Sequence, residues 1–296
     1  MGLDQRGDIA IAEIVFYVPI LVCALLLTLR HGFGRQAGWI FLFTFSIVRI
    51  VGGAIHIAAE EVTPPKTGLF IAAFAIESAG VAPLLLCTSS WLQTRVNHPL
   101  FYPHVFRLVR IVLVVAFALA IVGATNATSS NANDRTTGAT LRKVGGIIIL
   151  ACFIFMAFVH VLLWTYKSRL YTRHRTLLLG ISTALPFLLV RCIYSVLSAF
   201  SPVSSFGPVT SSSLPAQHNS LSKFNSFSGS WQIFLVMSLV MEYAVVLIYL
   251  TVGAVTPLER GTDDDSEEDL KGGQQGMYQQ RPANVNAYDN RQGYAA

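Results

Sequence analysis

The chain has 296 residues, of which 53% are hydrophobic and only 12% charged, and its formal net charge is +5 at pH 7. This composition excludes an ordinary soluble domain, in which roughly a quarter of the residues are charged. The basic residues lie in short segments between apolar runs, which is typical of oriented membrane helices and does not suggest a nucleic-acid partner.

Seven apolar runs follow one another along the chain, each close to the roughly 20 residues that a helix needs to cross a bilayer. They cover residues 9–29, 38–58, 68–92, 105–124, 144–165, 177–200 and 231–254. Because lipid offers no partner to backbone polar groups, each run is predicted to be a helix. The sequence therefore predicts an all-α, multi-pass membrane protein with a seven-transmembrane-helix bundle in residues 1–256. It leaves open whether the membrane is the endoplasmic reticulum or the plasma membrane.

The charges between the runs predict the orientation. The first, third and fifth connections are rich in arginine and lysine, whereas the second, EEVTPPK, is acidic on balance. Since basic connections stay in the cytosol, the N-terminus is predicted to be outside or lumenal and the C-terminus cytosolic. Asn126 begins an Asn-Ala-Thr sequon in the fourth connection, which this orientation makes lumenal, so Asn126 is a predicted glycosylation site.

The composition changes after the seventh run. Residues 257–296 contain an acidic cluster, DDDSEED, followed by a segment rich in Gln, Asn, Gly and Tyr. Such a segment cannot bury an apolar core, so it is predicted to be a disordered cytosolic tail.

Ionisable residues inside the runs are the candidate functional site. A charged carboxylate at the bilayer centre costs on the order of 3 kcal/mol unless it is paired. Six such residues lie at similar predicted depths: Glu13, Arg49, His56, Glu77, Arg191 and Glu242. They are expected to face the bundle interior and to neutralise one another. Two interpretations stay open: ion pairs that only fix helix register, or side chains that line a functional cavity.

Aromatic and small residues accompany these charges. Tyr17, Tyr194, Tyr243 and Phe74 are close to them in sequence and could line a cavity. Gly80 lies one turn from Glu77 and leaves space beside it. No span contains an interior lysine, which excludes a retinal Schiff base, and no metal-binding or cofactor-binding motif is present.

Two segments carry a resemblance to a known family. Residues 11–55, IAEIVFYVPILVCALLLTLRHGFGRQAGWIFLFTFSIVRIVGGAI, resemble a fungal family of seven-span membrane proteins whose domain has no assigned function. Residues 68–86, with a glutamate followed by GVAPLLL, continue the resemblance, which covers the seven spans and not the tail. More remotely, a few relatives are similar to the ascofuranone-type membrane-bound terpene cyclases of fungal meroterpenoid clusters. No motif transfers the catalytic residues of those enzymes to this chain.

The first functional hypothesis is a membrane-bound terpene cyclase that protonates a prenyl or epoxyprenyl substrate. A glutamate kept neutral by an apolar environment can serve as general acid, and aromatic faces shelter carbocations. Glu77 or Glu242 would be the acid, positioned by Arg49 or Arg191, with Glu13 as a further candidate. The physical objection is that an arginine paired too tightly keeps a glutamate charged.

The alternative hypothesis is a non-catalytic, receptor-like or lipid-handling seven-transmembrane protein. Seven spans, an outside N-terminus and a cytosolic tail fit it equally well. The third span ends in SSWLQTR, without a DRY-like triplet, and the seventh has no NPxxY. In either case the expected ligand is a hydrophobic prenyl-type molecule or a lipid.

Overall fold

A computed structural model of the chain describes residues 5–31, 38–62, 67–95, 103–129, 131–165, 172–201, 220–225 and 229–255. These residues are helical and contain no strand. The helices, in chain order, are α1 (Gln5–His31), α2 (Gly38–Glu61), α3 (Thr67–Ala79), α4 (Val81–Arg95), α5 (Pro103–Ala127), α6 (Ala132–Thr165), α7 (Thr172–Phe200), α8 (Trp231–Phe234) and α9 (Met241–Val255). The predicted tail, 257–296, lies outside the described residues.

Seven helical segments are long and apolar enough to cross a membrane, which confirms the prediction of an all-helical protein with seven spans. Large hydrophobic side chains remain exposed along their outer faces, for example Phe16 on α1, Leu108 on α5 and Phe158 on α6. Many exposed large hydrophobic side chains on long helices are suited to lipid and not to water. The structure is therefore that of a multi-pass membrane protein. The orientation of its termini stays a prediction.

The third span consists of two helices, α3 and α4, which are separated at Gly80. Pro83 lies in the first turn of α4, where its missing N–H removes the hydrogen bond that would continue the helix from Ala79. The Gly80 N–H instead bonds to the carbonyl of Glu77 at 3.3 Å. The break places Glu77 and Gly80 at the centre of the bundle, and residues 81–92 of α4 are all buried.

The structure differs from the prediction at the fourth connection and the fifth span. That span was expected at 144–165, but α6 already begins at Ala132, and only residues 128–131 connect it to α5. A Cβ atom on Gly138 would overlap the backbone of Asn126 and Ala127, so the two helices pack backbone against backbone here. The polar residues 132–143, which predicted a loop, form the first three turns of α6.

The seventh span is interrupted by a π-helical turn. The short α8 is followed by π-helical residues Leu235–Val240 and then by α9. π-helical turns are rare and occur frequently at functional sites. This one directly precedes Glu242, the second residue of α9.

Candidate functional site

Five charged side chains from different parts of the chain meet inside the bundle. They are Glu13 on α1, Arg49 on α2, Glu77 on α3, Arg191 on α7 and Glu242 on α9. We call this group the ion-pair network. The expectation that Glu77 and Glu242 face the interior holds in the structure, since Glu242 is fully buried and the Glu77 side chain is 18% exposed.

Arg49 is the centre of the network because its guanidinium contacts carboxylates from three spans. Nη1 donates to Glu13 Oε1 at 3.1 Å and to Glu77 Oε2 at 2.7 Å. Nη2 donates to Glu242 Oε2. Arginine suits this position because its planar group offers several donors in fixed directions.

Arg191 completes the network from the opposite side. Its Nε donates to Glu242 Oε1, and its Nη2 lies 3.9 Å from Glu77 Oε1. Its Nη1 donates to the hydroxyl of Ser195 at 2.6 Å, one turn further along α7. Glu242 therefore bridges the two arginines with one oxygen for each.

Small and polar residues at the two helix interruptions support this geometry. A Cβ atom on Gly80 would lie 2.9 Å from Arg49 Nη2 and 3.5 Å from Glu242 Oε1, so only glycine leaves the guanidinium its place. In the π-helical turn, the hydroxyl of Ser238 donates to Glu77 Oε1 at 3.3 Å. The irregular backbone at both points thus serves the ion-pair network.

The network contains three carboxylates and two guanidiniums, which sum to −1 when all five are ionised. Such charges are stable in a protein interior only when they are paired and hydrogen-bonded, and removing one partner typically costs about 3–5 kcal/mol. Because five spans contribute, loss of one side chain is expected to loosen contacts between several helices.

Two small cavities border the network, and Glu77 lies at both. The first, between α1, α2 and α3, has a volume of about 40 Å³ and is also bordered by Glu13, Arg49 and His56. The second, between α3, α5, α6 and α7, has a volume of about 20 Å³ and is bordered by Arg142 and Arg191. One water molecule needs roughly 10–15 Å³ of cavity volume. The first cavity therefore has room for a few water molecules and the second for one.

The other predicted site residues surround the network without joining its ion pairs. His56 borders the first cavity and pairs with Glu60 at 3.2 Å, one turn along α2. The ring of Tyr194 lies 5.6 Å from the guanidinium carbon of Arg191. Tyr17 and Tyr243 pack edge to face with each other at a centroid distance of 6.2 Å.

Asn126 lies in the last turn of α5, not in the loop that the sequence predicted. Its side chain is half-buried, and the hydroxyl of Thr128, the third sequon residue, donates to the carbonyl of Thr125 at 2.7 Å. Glycosylation of Asn126 stays a prediction.

Arg142 is the main residue that the sequence interpretation missed. The predicted span 144–165 leaves it in a connection, yet it is buried inside the bundle beside the second cavity. A usable signal was Gly138 with Gly145, which are seven residues or about two turns apart, because small residues on one helix face mark the packed face of a membrane helix. In the described part of the chain, no group of three or more His, Cys, Asp or Glu side chains is arranged to hold a metal ion.

Seven apolar helices around a buried network of ion pairs define a polytopic membrane protein with an intramembrane polar site. The chain belongs to a family defined by a domain of unknown function, DUF7702, whose model matches residues 3–258. That match covers all seven spans and confirms the resemblance to a family without an assigned activity. No curated protein and no solved structure matches the chain.

Proposed function

We propose that this chain is a non-catalytic, receptor-like or lipid-handling membrane protein, and that the ion-pair network holds its helices in one of two arrangements. The observation that carries the proposal is the position of Arg49, which is paired at once with carboxylates from α1, α3 and α9. A contact of this kind joins helices and can be opened by a competing polar ligand.

The protonation chemistry supports this proposal over a general acid. An acid catalyst needs a carboxyl group that keeps its proton, whereas hydrogen bonds from a guanidinium stabilise the charged carboxylate. Glu77 and Glu242 both accept such bonds from Arg49, and Glu242 accepts another from Arg191. The two favoured candidate acids are therefore the two carboxylates that the arginines engage most fully.

The size of the two cavities supports it as well. Pockets for small organic ligands have volumes of about 300–1,000 Å³, and a prenyl chain is a ligand of that size class. The cavities at the network have volumes of about 40 and 20 Å³. In this arrangement of the helices they accept water-sized groups, and a larger ligand requires the spans to separate.

The helix interruptions supply a means of separation. Gly80 divides the third span beside Arg49, and the π-helical turn Leu235–Val240 precedes Glu242 in the seventh. Irregular backbone of this type lets one half of a span shift without moving the other. Opening the network would then change how α3 and α9 pack.

A terpene cyclase is the second candidate, and Glu13 is the observation that favours it. Among the described residues the Glu13 carboxylate pairs with Arg49, through a nitrogen that Glu77 shares, and it borders the first cavity. Of the three carboxylates it is the one with the weakest arginine contact. A cyclase would use Glu13 as the acid after the cavity had enlarged several-fold.

Thiol labelling of Cys192 tests the proposal, because this buried residue directly follows Arg191. The full chain would carry Cys23→Ala, Cys87→Ala and Cys152→Ala, so that Cys192 alone reports. We expect slow labelling in this background and at least tenfold faster labelling after Glu242→Gln. Equal rates in both proteins, each properly folded, would overturn the proposal.

A product assay separates the two candidates. Microsomes that contain the wild type or Glu13→Gln are given an epoxidised farnesyl-phenol, and the extract is analysed by mass spectrometry. The proposal expects no cyclised product from either. A product formed by the wild type and lost in well-expressed Glu13→Gln would establish the cyclase instead.

A further inference from the structure

Arg142 is a buried cation outside the ion-pair network. Arg142 is only 3% exposed, and its Nη2 donates to the backbone carbonyl of Ser198 at 2.9 Å. Its guanidinium carbon lies 4.7 Å from the centre of the Phe74 ring. The ion pairs of the described residues do not include it.

The Arg142 Nε has no hydrogen-bond partner among the described residues, although it is fully buried. A carbonyl and an aromatic face compensate a guanidinium in part, but a buried cation without a contacting anion is strongly unfavourable. The Arg142 guanidinium would therefore be stabilised by a further hydrogen-bond acceptor, and most of all by a negatively charged one.

The second cavity lies where that acceptor is needed. It borders Arg142, Arg191, Ser195 and Ser198 and has a volume of about 20 Å³, enough for one group of the size of a water molecule. Ser195 accepts a hydrogen bond from Arg191 Nη1 at 2.6 Å, and its hydroxyl group can in addition donate its own hydrogen to an acceptor in the cavity. Donors from two helices thus surround the space.

Glu77 also borders this cavity, but its two oxygens are already engaged. Oε2 accepts from Arg49 at 2.7 Å, and Oε1 accepts from Ser238 at 3.3 Å and faces Arg191. The two remaining carboxylates of the network do not border this cavity: Glu242 accepts from Arg49 and Arg191, and Glu13 contacts Arg49 on the side of α1. Arg191 is thus paired with Glu242, whereas Arg142 has no carboxylate within ion-pair distance among the described residues.

We propose that the second cavity binds one small monovalent anion of the size of chloride, held by Arg142 and Arg191 with Ser195 as hydroxyl donor. A water molecule could accept the same hydrogen bonds, but it would not give Arg142 a contacting anion. The proposal holds whether the ion-pair network joins helices or serves catalysis, because it concerns the side of the bundle formed by α6 and α7.

The test measures the melting temperature of the full chain in detergent at constant ionic strength, with chloride replacing gluconate. An anion that binds the folded state stabilises it by mass action, so the wild type should show a saturable rise. At ten times the dissociation constant, a rise of about 3–6 °C is expected, and bromide should reproduce it. Gluconate is too large for the cavity and controls for ionic strength.

Three variants connect the rise to the cavity. Arg142→Gln should abolish the chloride response and Ser195→Ala should weaken it at least threefold. Arg110→Gln, which removes an arginine of α5 that hydrogen-bonds to Gln93 instead, should keep the full response. If Arg142→Gln fails to fold, Ser195→Ala and the anomalous signal of bromide in a crystal decide the matter. An identical wild-type melting temperature in chloride and gluconate would overturn the proposal and assign the cavity to a single water that bridges Arg142 and Glu77.

Discussion

The strictest test of the ion-pair geometry is the substitution Gly80→Ala. The added Cβ would lie 2.9 Å from Arg49 Nη2, which is closer than real Cβ contacts allow, and 3.2 Å from Arg49 Cζ, which is tighter than most of them. The guanidinium must therefore move, although carboxylates from three spans hold it.

The expected cost follows from three contributions. Overpacking a filled interior costs about 1–3 kcal/mol, and weakening one charged hydrogen bond costs about 1.5–3 kcal/mol. Replacing glycine by alanine also restricts the unfolded chain, which stabilises the folded state by about 0.4–1 kcal/mol. The net loss is about 3 kcal/mol, or a fall of about 6–12 °C in melting temperature for a domain of this size.

Gly68→Ala is the matched control, because a Cβ atom there would meet nothing within 4 Å. It should leave the melting temperature unchanged or raise it slightly, since alanine favours helix over glycine. The double variant Gly80→Ala with Glu242→Gln should cost little more than Glu242→Gln alone, since both act on the same contact. A Gly80→Ala protein as stable as Gly68→Ala, or fully additive costs in the double variant, would refute the reasoning.

Three further predictions concern residues around the network. Tyr17→Phe should raise the unfolding free energy by about 1 kcal/mol, because the buried Tyr17 hydroxyl has no hydrogen-bond partner in the described residues and an unpaired buried hydroxyl is destabilising; a loss of stability would show that it has a partner. Tyr249→Phe should cost about 0.5–1.5 kcal/mol in a thermal melt, since its hydroxyl bonds to Thr88 at 2.7 Å, and Thr88→Val should remove the difference. If the connection after α5 is lumenal, endoglycosidase should shift the wild-type band on a gel and leave Asn126→Gln unchanged; an unshifted wild type would contradict glycosylation.

The network also explains why the intramembrane charges are tolerated. Each carboxylate and guanidinium obtains at least one charged partner, and the side chains of Arg49 and Glu242 have almost no contact with the surroundings of the bundle, being 3% and 0% exposed. Replacing the whole set by apolar residues could preserve the fold, whereas removing one member leaves a buried charge unpaired. Single substitutions in the network therefore measure the cost of leaving one buried charge unpaired, not the net contribution of the whole network to stability.

The sequence alone was sufficient for the seven spans and for the five charged residues of the network. Apolar runs of sufficient length must form helices in lipid, and charges within them must turn inward and find partners. It could not locate the start of α6, because residues 132–143 are polar and mostly exposed, and only Gly138 and Arg142 among them are buried. These two pack against α5 through contacts that local hydropathy does not contain. For the same reason it assigned Arg142 to a connection.

The tertiary structure alone decided the pairing. Arg49 and Glu242 are 193 positions apart in the chain, and Arg191 and Glu242 are 51 apart. Which carboxylate meets which guanidinium depends on how each helix is rotated and how closely it approaches its neighbours, and glycines such as Gly80 set that approach. Periodicity and composition describe each helix separately, so they identify the members of the network, while only the packing of the helices determines their contacts and the volume left between them.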